Sequence, residues 1–148
     1  VNGDPYVIEY NVRMGDPETE AIFPRLQTPM LDLLEAMATD NLSTVDVKLD
    51  QRTAATIFLV SGGYPGDIEK GKEIQFPASQ GKDQWLFHAG TKHDGNRVVT
   101  NGGRVIAVTS LGDNIAAALQ RSNELASQIQ FDGKFNRTDI GLDLMRLI

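Results

Sequence analysis

Ala54-Ala55-Thr56-Ile57-Phe58-Leu59-Val60 is an almost uninterrupted apolar run, stopped by Ser61-Gly62-Gly63, where glycine can take positive φ or admit a close neighbour. Side chains alternate between the two faces of a strand, so a run that is apolar at both parities reads as a buried strand covered on both sides. The chain supplies material for that cover. Trp85 to Ala89 and Val98 to Thr100 read as short strands, separated by a loop through His93-Asp94-Gly95-Asn96. The second is predicted to enter a tight Asn101-Gly102-Gly103 hairpin turn into a strand from Arg104 to Thr109. From Asp113, the expected N-cap, a helix follows with Ile115, Leu119, Leu125, Ala126 and Ile129 at helical spacing, ended by Phe131-Asp132-Gly133. The tail is expected to hold a short helix through Ile140, Leu142, Leu144 and Met145. This is an α+β pattern with antiparallel pairing: a small antiparallel sheet packed on one long helix.

The amino-terminal part is of a different kind. Val7 to Val12 reads as a strand, which puts Glu9, Asn11 and Arg13 on one face and Ile8, Tyr10 and Val12 on the other. A carboxylate and an amide oxygen two residues apart are hard donors suited to Mg2+ ions that also hold phosphates. A guanidinium next in the row suits a phosphoryl or acyl-phosphate oxygen. The same spacing is equally that of a half-buried strand with a solvated face. In Gly15-Asp16-Pro17-Glu18, Asp16 is the expected N-cap and Pro17 the first helical residue, with Glu18 and Glu20 facing the helix dipole. That helix is expected to run until Pro24, and a second to restart with Thr28 as N-cap and Pro29 first. Met30, Leu31, Leu33, Leu34 and Met37 form its apolar stripe. Asp40 to Thr53 is polar and irregular and marks the expected boundary between a unit of residues 1–45 and a second of residues 46–148.

Composition excludes several roles. Twenty acidic against 14 basic residues, a net charge of -6 and a pI near 4.8 argue against non-specific binding to nucleic acid or an anionic membrane. Cysteine is absent, so there is no disulfide framework and no thiolate zinc site. His88 and His93 lack a partner at ligand spacing; His88 is expected as a hydrogen-bonded wall residue and His93 as exposed. No stretch reaches membrane-span length and no signal pattern opens the chain, so a cytoplasmic protein is expected. A strand near the start with no partner before it reads as part of a longer polypeptide. No Gly-x-Ser-x-Gly elbow and neither nucleotide-loop fingerprint occurs. Arg137 and Asp139 are expected to pair with each other. Lys92 and Arg104 each lie near glycine turns, where they are either phosphate-holding cations or solvated surface charges.

The run from Glu9 to Glu20 resembles the signature of the phosphoribosylamine–glycine ligases, ATP-grasp enzymes of purine biosynthesis. Gly62-Gly63-Tyr64-Pro65-Gly66-Asp67, Phe87-His88-Ala89-Gly90-Thr91-Lys92, Val99 to Val105 and Arg137-Thr138-Asp139-Ile140-Gly141 extend that likeness, in order, over nearly the whole sequence. The resemblance is to the carboxy-terminal part of those enzymes. It implies that residues 1–45 end an ATP-grasp domain (a strand plus helices) and that residues 46–148 form the carboxy-terminal α+β domain. It implies ATP, glycine and 5-phosphoribosylamine as substrates of the intact enzyme, with Mg2+ or Mn2+. Carried over by position, Glu9 and Asn11 would be metal ligands and Arg13 would contact the phosphoryl group. Asp16 and Glu18 would shape the glycine or amine pocket. Lys92 and Arg104 would hold the ribose phosphate, with Gly102 and Gly103 letting the backbone approach. The part lacks the rest of the nucleotide clamp, so no ligase activity is expected from it alone. The alternatives are another ATP-grasp carboxylate–amine ligase, or a non-catalytic module that binds phosphorylated ligands or packs onto another domain.

Overall fold

The computed structural model describes residues 3–146. In chain order it has helix α1 (Glu18–Ile22), a 3-10 turn over Phe23–Arg25, helix α2 (Met30–Ala38), strands β1 (Thr53–Val60), β2 (Gln84–His88), β3 (Thr91–Asp94), β4 (Arg97–Thr100) and β5 (Arg104–Gly112), and helix α3 (Ile115–Gln128). The class is α+β. Three antiparallel strands form one sheet in the order β1-β5-β2, and β3 pairs with β4 in a second.

β5 is the centre. Its residues from Val105 to Gly112 are all buried, because β1 and β2 take its two edges and α3 packs over it. Ala55, Ile57 and Leu59 share one face of β1, and Ala55 and Leu59 belong to the two apolar clusters that α3 completes. Leu59, Val105, Ile106 and Val108 meet Leu125, Ala126 and Ile129 in the larger cluster. Ser122 places a hydroxyl inside this contact and satisfies it by donating to the Ala55 carbonyl at 2.8 Å. Gly112 lets α3 come this close: a Cβ there would lie 2.4 Å from the amide nitrogen of Ala118. At the far end of α3, Lys134 Nζ donates to the carbonyls of Ala126 and Ile129 at 3.1 and 2.6 Å. The Ala126 carbonyl, which also accepts from the Ile129 amide at 3.3 Å, lies in the last turn and the Ile129 carbonyl just beyond it, where intrahelical donors run out.

Several local expectations are corrected. Asn101-Gly102-Gly103 is not a hairpin turn, because both edges of β5 are already occupied and β4 pairs with β3 instead. The hairpin sits at Gly95-Asn96, with Gly95 at φ +59°, so part of the expected loop from His93 to Asn96 is strand. Asn114, not Asp113, caps α3, its side chain accepting from the Ala117 amide at 2.9 Å. Thr28 does not cap α2; its hydroxyl accepts from the Lys48 amide at 2.7 Å, and Pro29 takes the cap position. Pro17, not Asp16, precedes α1. Residues 7–12 form no strand among the described residues, since no neighbouring edge supplies a ladder, and the apolar face expected to be buried is exposed.

Arg52 ties the start of β1 to the approach of β2, binding Asp50 at 2.7 Å and Asp83 at 2.9 Å. Hydrogen bonds from the Arg52 side chain, then its backbone amide, hold the Asp50 carboxyl at about 2, below its ordinary 3.8, and the same guanidinium lowers Asp83. A carboxyl depressed on folding stabilises the fold above its unfolded pKa and loses that contribution as pH falls towards the folded value. Urea midpoints of the native chain should therefore drop between pH 4 and about 2. Arg52→Met should be less stable at pH 6 and show a shallower acid drop; equal slopes would refute the assignment. In the core, Leu125→Ala should cost about 2–5 kcal/mol. Gly112→Ala should cost about 1–3 kcal/mol by forcing α3 off the sheet, read by the same denaturation curves.

Candidate functional site

An open basin of about 660 Å3 lies where the amino-terminal segment meets the head of β5. Glu9, Asn11, Arg13, Asp16 and Glu18 line it from one side, and Arg104, the first residue of β5, from the other. Six of the residues singled out in the sequence thus face one space.

Each is placed by a local device. Glu18 folds back so that its Oε1 accepts from the Gly15 amide at 2.9 Å, and Thr19 Oγ1 donates to the Gly15 carbonyl. These bonds fix the turn through Asp16. Arg104 Nη2 pairs with Asp16 Oδ2 at 3.1 Å, and its Nη1 donates to the Asp16 carbonyl at 3.3 Å. The guanidinium also lies 5.4 Å above the centre of the Phe58 ring, a cation–π contact across β1 and β5. Arg13 donates to the Met14 carbonyl at 2.9 Å. Asn11 Nδ2 donates to Glu9 Oε1 at 3.4 Å, so the carboxylate and the amide are within reach of each other.

That pair fits a hard divalent cation. Mg2+ is commonly held by one or two protein oxygens and completed by phosphates and water; Glu9 supplies a carboxylate, while Asn11 here turns its amide nitrogen to that carboxylate, so its carbonyl would serve as a ligand only with the amide rotated. No group of three or more His, Cys, Asp or Glu side chains at metal-holding distance occurs among the described residues. Glu20 also lines the basin, making two more carboxylates than guanidiniums. An anion entering this space needs a counter-charge.

Other expected residues fall elsewhere. Lys92 is exposed on β3 and is not among the residues that line the basin. Gly102 and Gly103 serve packing: their carbonyls accept from Ser61 Oγ and from the Ser61 amide at 2.9 and 2.8 Å. The Tyr64 ring occupies the place of a side chain at Gly103, where a Cβ would meet it at 2.2 Å. His88 bonds to Thr91 at 3.0 Å and packs on Phe76, while His93 is exposed. Arg137 pairs with Asp139 through two bonds of 2.9 and 2.8 Å. The sequence reading did not anticipate a second cleft of about 330 Å3, walled by Phe58, Tyr64, Pro65, Phe135 and Arg137, that opens beside Arg104. Its signal lay in the motifs around Tyr64 and Arg137, which distance in sequence kept apart.

Fold and site together define an α+β domain joined to an amino-terminal segment, with a polar, charged basin at the joint. Over residues 54–143 the chain matches the family described as phosphoribosylglycinamide synthetase, C domain, and it belongs to that family. It is 47% identical over 140 residues to a phosphoribosylamine–glycine ligase of Vibrio cholerae, covering 94% of this chain and 33% of that protein. A bifunctional purine biosynthetic protein of Schizosaccharomyces pombe is 43% identical over 137 residues, covering 92% of this chain and 17% of that one. The crystal structure of phosphoribosylamine–glycine ligase from Thermotoga maritima superposes with a TM-score of 0.77 at 34% identity, covering 93% of this chain and 34% of that chain. The chain thus spans about a third of the length of these ligases. No helix among the described residues is long and apolar enough to cross a membrane.

The Asp16–Arg104 pair is half-exposed, so its strength is limited by solvent. A double-mutant cycle of Asp16→Ala and Arg104→Ala, read by urea unfolding, should give a coupling of about 0.2–1 kcal/mol. It should vanish in roughly 1 M NaCl. Zero coupling at low salt would show that the pair does not hold segment and sheet together.

Proposed function

We propose that this chain is the carboxy-terminal part of an ATP-dependent ligase that joins glycine to 5-phosphoribosylamine. Residues 1–45 would close an ATP-grasp domain and residues 46–148 would form the domain after it. The observation that carries this reading is the convergence of Glu9, Asn11, Arg13, Asp16, Glu18 and Arg104 on one basin in a chain of this family.

In that reaction the glycine carboxylate takes the γ-phosphoryl group of ATP to give glycyl phosphate and ADP. The amine of phosphoribosylamine then attacks the acyl carbon, the C–O bond to phosphate breaks, and an amide is left. Little covalent chemistry falls to the protein; its work is to position reactants and balance charge. Glu9 and Asn11 would hold Mg2+ or Mn2+, which when bound neutralises phosphate charge. Arg13 would steady phosphoryl or acyl-phosphate oxygens. Asp16 and Glu18 shape the space for glycine or the amine. Arg104 is the cation proposed to hold the ribose phosphate in the basin; Lys92, expected to share that role, lies outside the basin's lining.

Calorimetric titration tests this. Ribose 5-phosphate should bind the chain and Mg-ATP should not, since the chain holds only one wall of the nucleotide site. Arg104→Ala should weaken ribose 5-phosphate by about tenfold or more, the worth of a charge-assisted bond. Equal affinity in Arg104→Ala would overturn the reading; the chain alone should form no glycinamide ribonucleotide, and measurable product would refute that expectation of inactivity.

A further inference from the structure

The cleft beside Arg104 has the opposite charge to the basin. Arg104 lines both spaces, but on the basin side it meets Glu9, Asp16, Glu18 and Glu20. The cleft of about 330 Å3 is lined among the described residues by two guanidiniums, Arg104 and Arg137, and by no carboxylate. Their partners Asp16 and Asp139 bind them from outside that lining. Most of the remaining wall is apolar or aromatic. Phe135 is 59% exposed and Tyr64 42%, yet both are held: Phe135 exchanges backbone bonds of 2.8 and 3.0 Å with Val60, and the Tyr64 ring sits against Gly103. Exposed rings fixed in this way cost little to order and suit stacking with a planar ligand. Asn136 Nδ2 donates to the Arg137 carbonyl at 3.2 Å, which leaves Oδ1 as an acceptor in the same wall.

We infer that this cleft binds a nucleoside monophosphate, its base against Tyr64 and Phe135 and its phosphate on Arg104 and Arg137. Aromatic walls call for a planar ring, and the Asn136 acceptor for a ring that carries a donor such as an amino group. Two guanidiniums call for a doubly charged, fork-shaped anion, which a phosphate monoester supplies. The volume is at the small end of ligand cavities, so it holds a base, a sugar and one phosphate and no longer polyphosphate. Neither glycine nor phosphoribosylamine has a ring of this kind, and the ligase reaction leaves the apolar part of the cleft unused. The inference rests on the functional reading at one point, the phosphate on Arg104. It adds that such a nucleotide and the ribose phosphate exclude each other, because both need one guanidinium.

The test is titration of the chain with AMP, adenosine and ribose 5-phosphate, read by calorimetry and by amide chemical shifts. AMP should bind about fivefold or more tighter than ribose 5-phosphate, as one base–aromatic stack provides, and about tenfold or more tighter than adenosine. Its shifts should centre on Tyr64, Phe135 and Asn136 rather than on Glu9 and Asn11. Saturating ribose 5-phosphate should displace it. Phe135→Ala should weaken AMP about fivefold or more, well beyond its effect on ribose 5-phosphate. Phe135→Leu, which keeps apolar bulk and loses the ring, should show most of the same loss, and Arg137→Gln should weaken both ligands. AMP no tighter than ribose 5-phosphate, AMP affinity indifferent to both Phe135 substitutions, shifts confined to the basin, or simultaneous binding of the two ligands overturns the inference. The functional reading then stands if ribose 5-phosphate still depends on Arg104. Phe135-dependent binding of AMP beside no measurable binding of ribose 5-phosphate supports the cleft and counts against that reading.

Discussion

β5 is enclosed by its two paired edges and by α3 over one face, and every residue from Val105 to Gly112 is buried. An enclosed strand with a full complement of backbone bonds is the last part of a domain to open. Arg104 is the residue at which that strand begins, so its guanidinium leaves the stiffest element of the molecule and reaches the basin from a fixed origin. The opposite wall has another character. Glu9 and Asn11 sit on a segment with exposed neighbours and no ladder, held to the domain through the turn at Asp16 and the pair it makes with Arg104.

This division of labour bears on how the basin handles charge. Arg104 is shared between the Asp16 carboxylate and the Phe58 ring, which aims it without neutralising it fully. Carboxylates outnumber guanidiniums around it, so the basin carries an excess of negative charge.

Much of the fold was legible because burial writes itself into sequence at both parities. Val105 to Val108 is apolar throughout and buried on both faces, as such a run demands, whereas Ala54 to Val60, broken by Thr56, buries Ala55, Ile57 and Leu59 and leaves Thr56 and Phe58 half-buried on its other face. The stripe of α3 was equally plain. What local signals missed was competition: Asn101-Gly102-Gly103 has the residues of a hairpin turn, but nothing near it says that β1 and β2 hold the edges of β5. Thr28 and Asp113 have the chemistry of caps and lose the position to neighbours, Thr28 because its hydroxyl serves Lys48 instead. In the site, parity put Glu9, Asn11 and Arg13 together, whereas the approach of Arg104 to Asp16 spans 88 residues and follows only from the folded sheet. The resemblance implied that Gly102 and Gly103 let the backbone approach a ligand; at Gly103 the neighbour that takes the space of a side chain is the Tyr64 ring.

That last contact ties two distant positions together. The ring at Tyr64 and any side chain at position 103 claim the same volume. Any residue larger than glycine at 103 would have to push that ring aside towards solvent, and the wall of the cleft beside Arg104 would move with it.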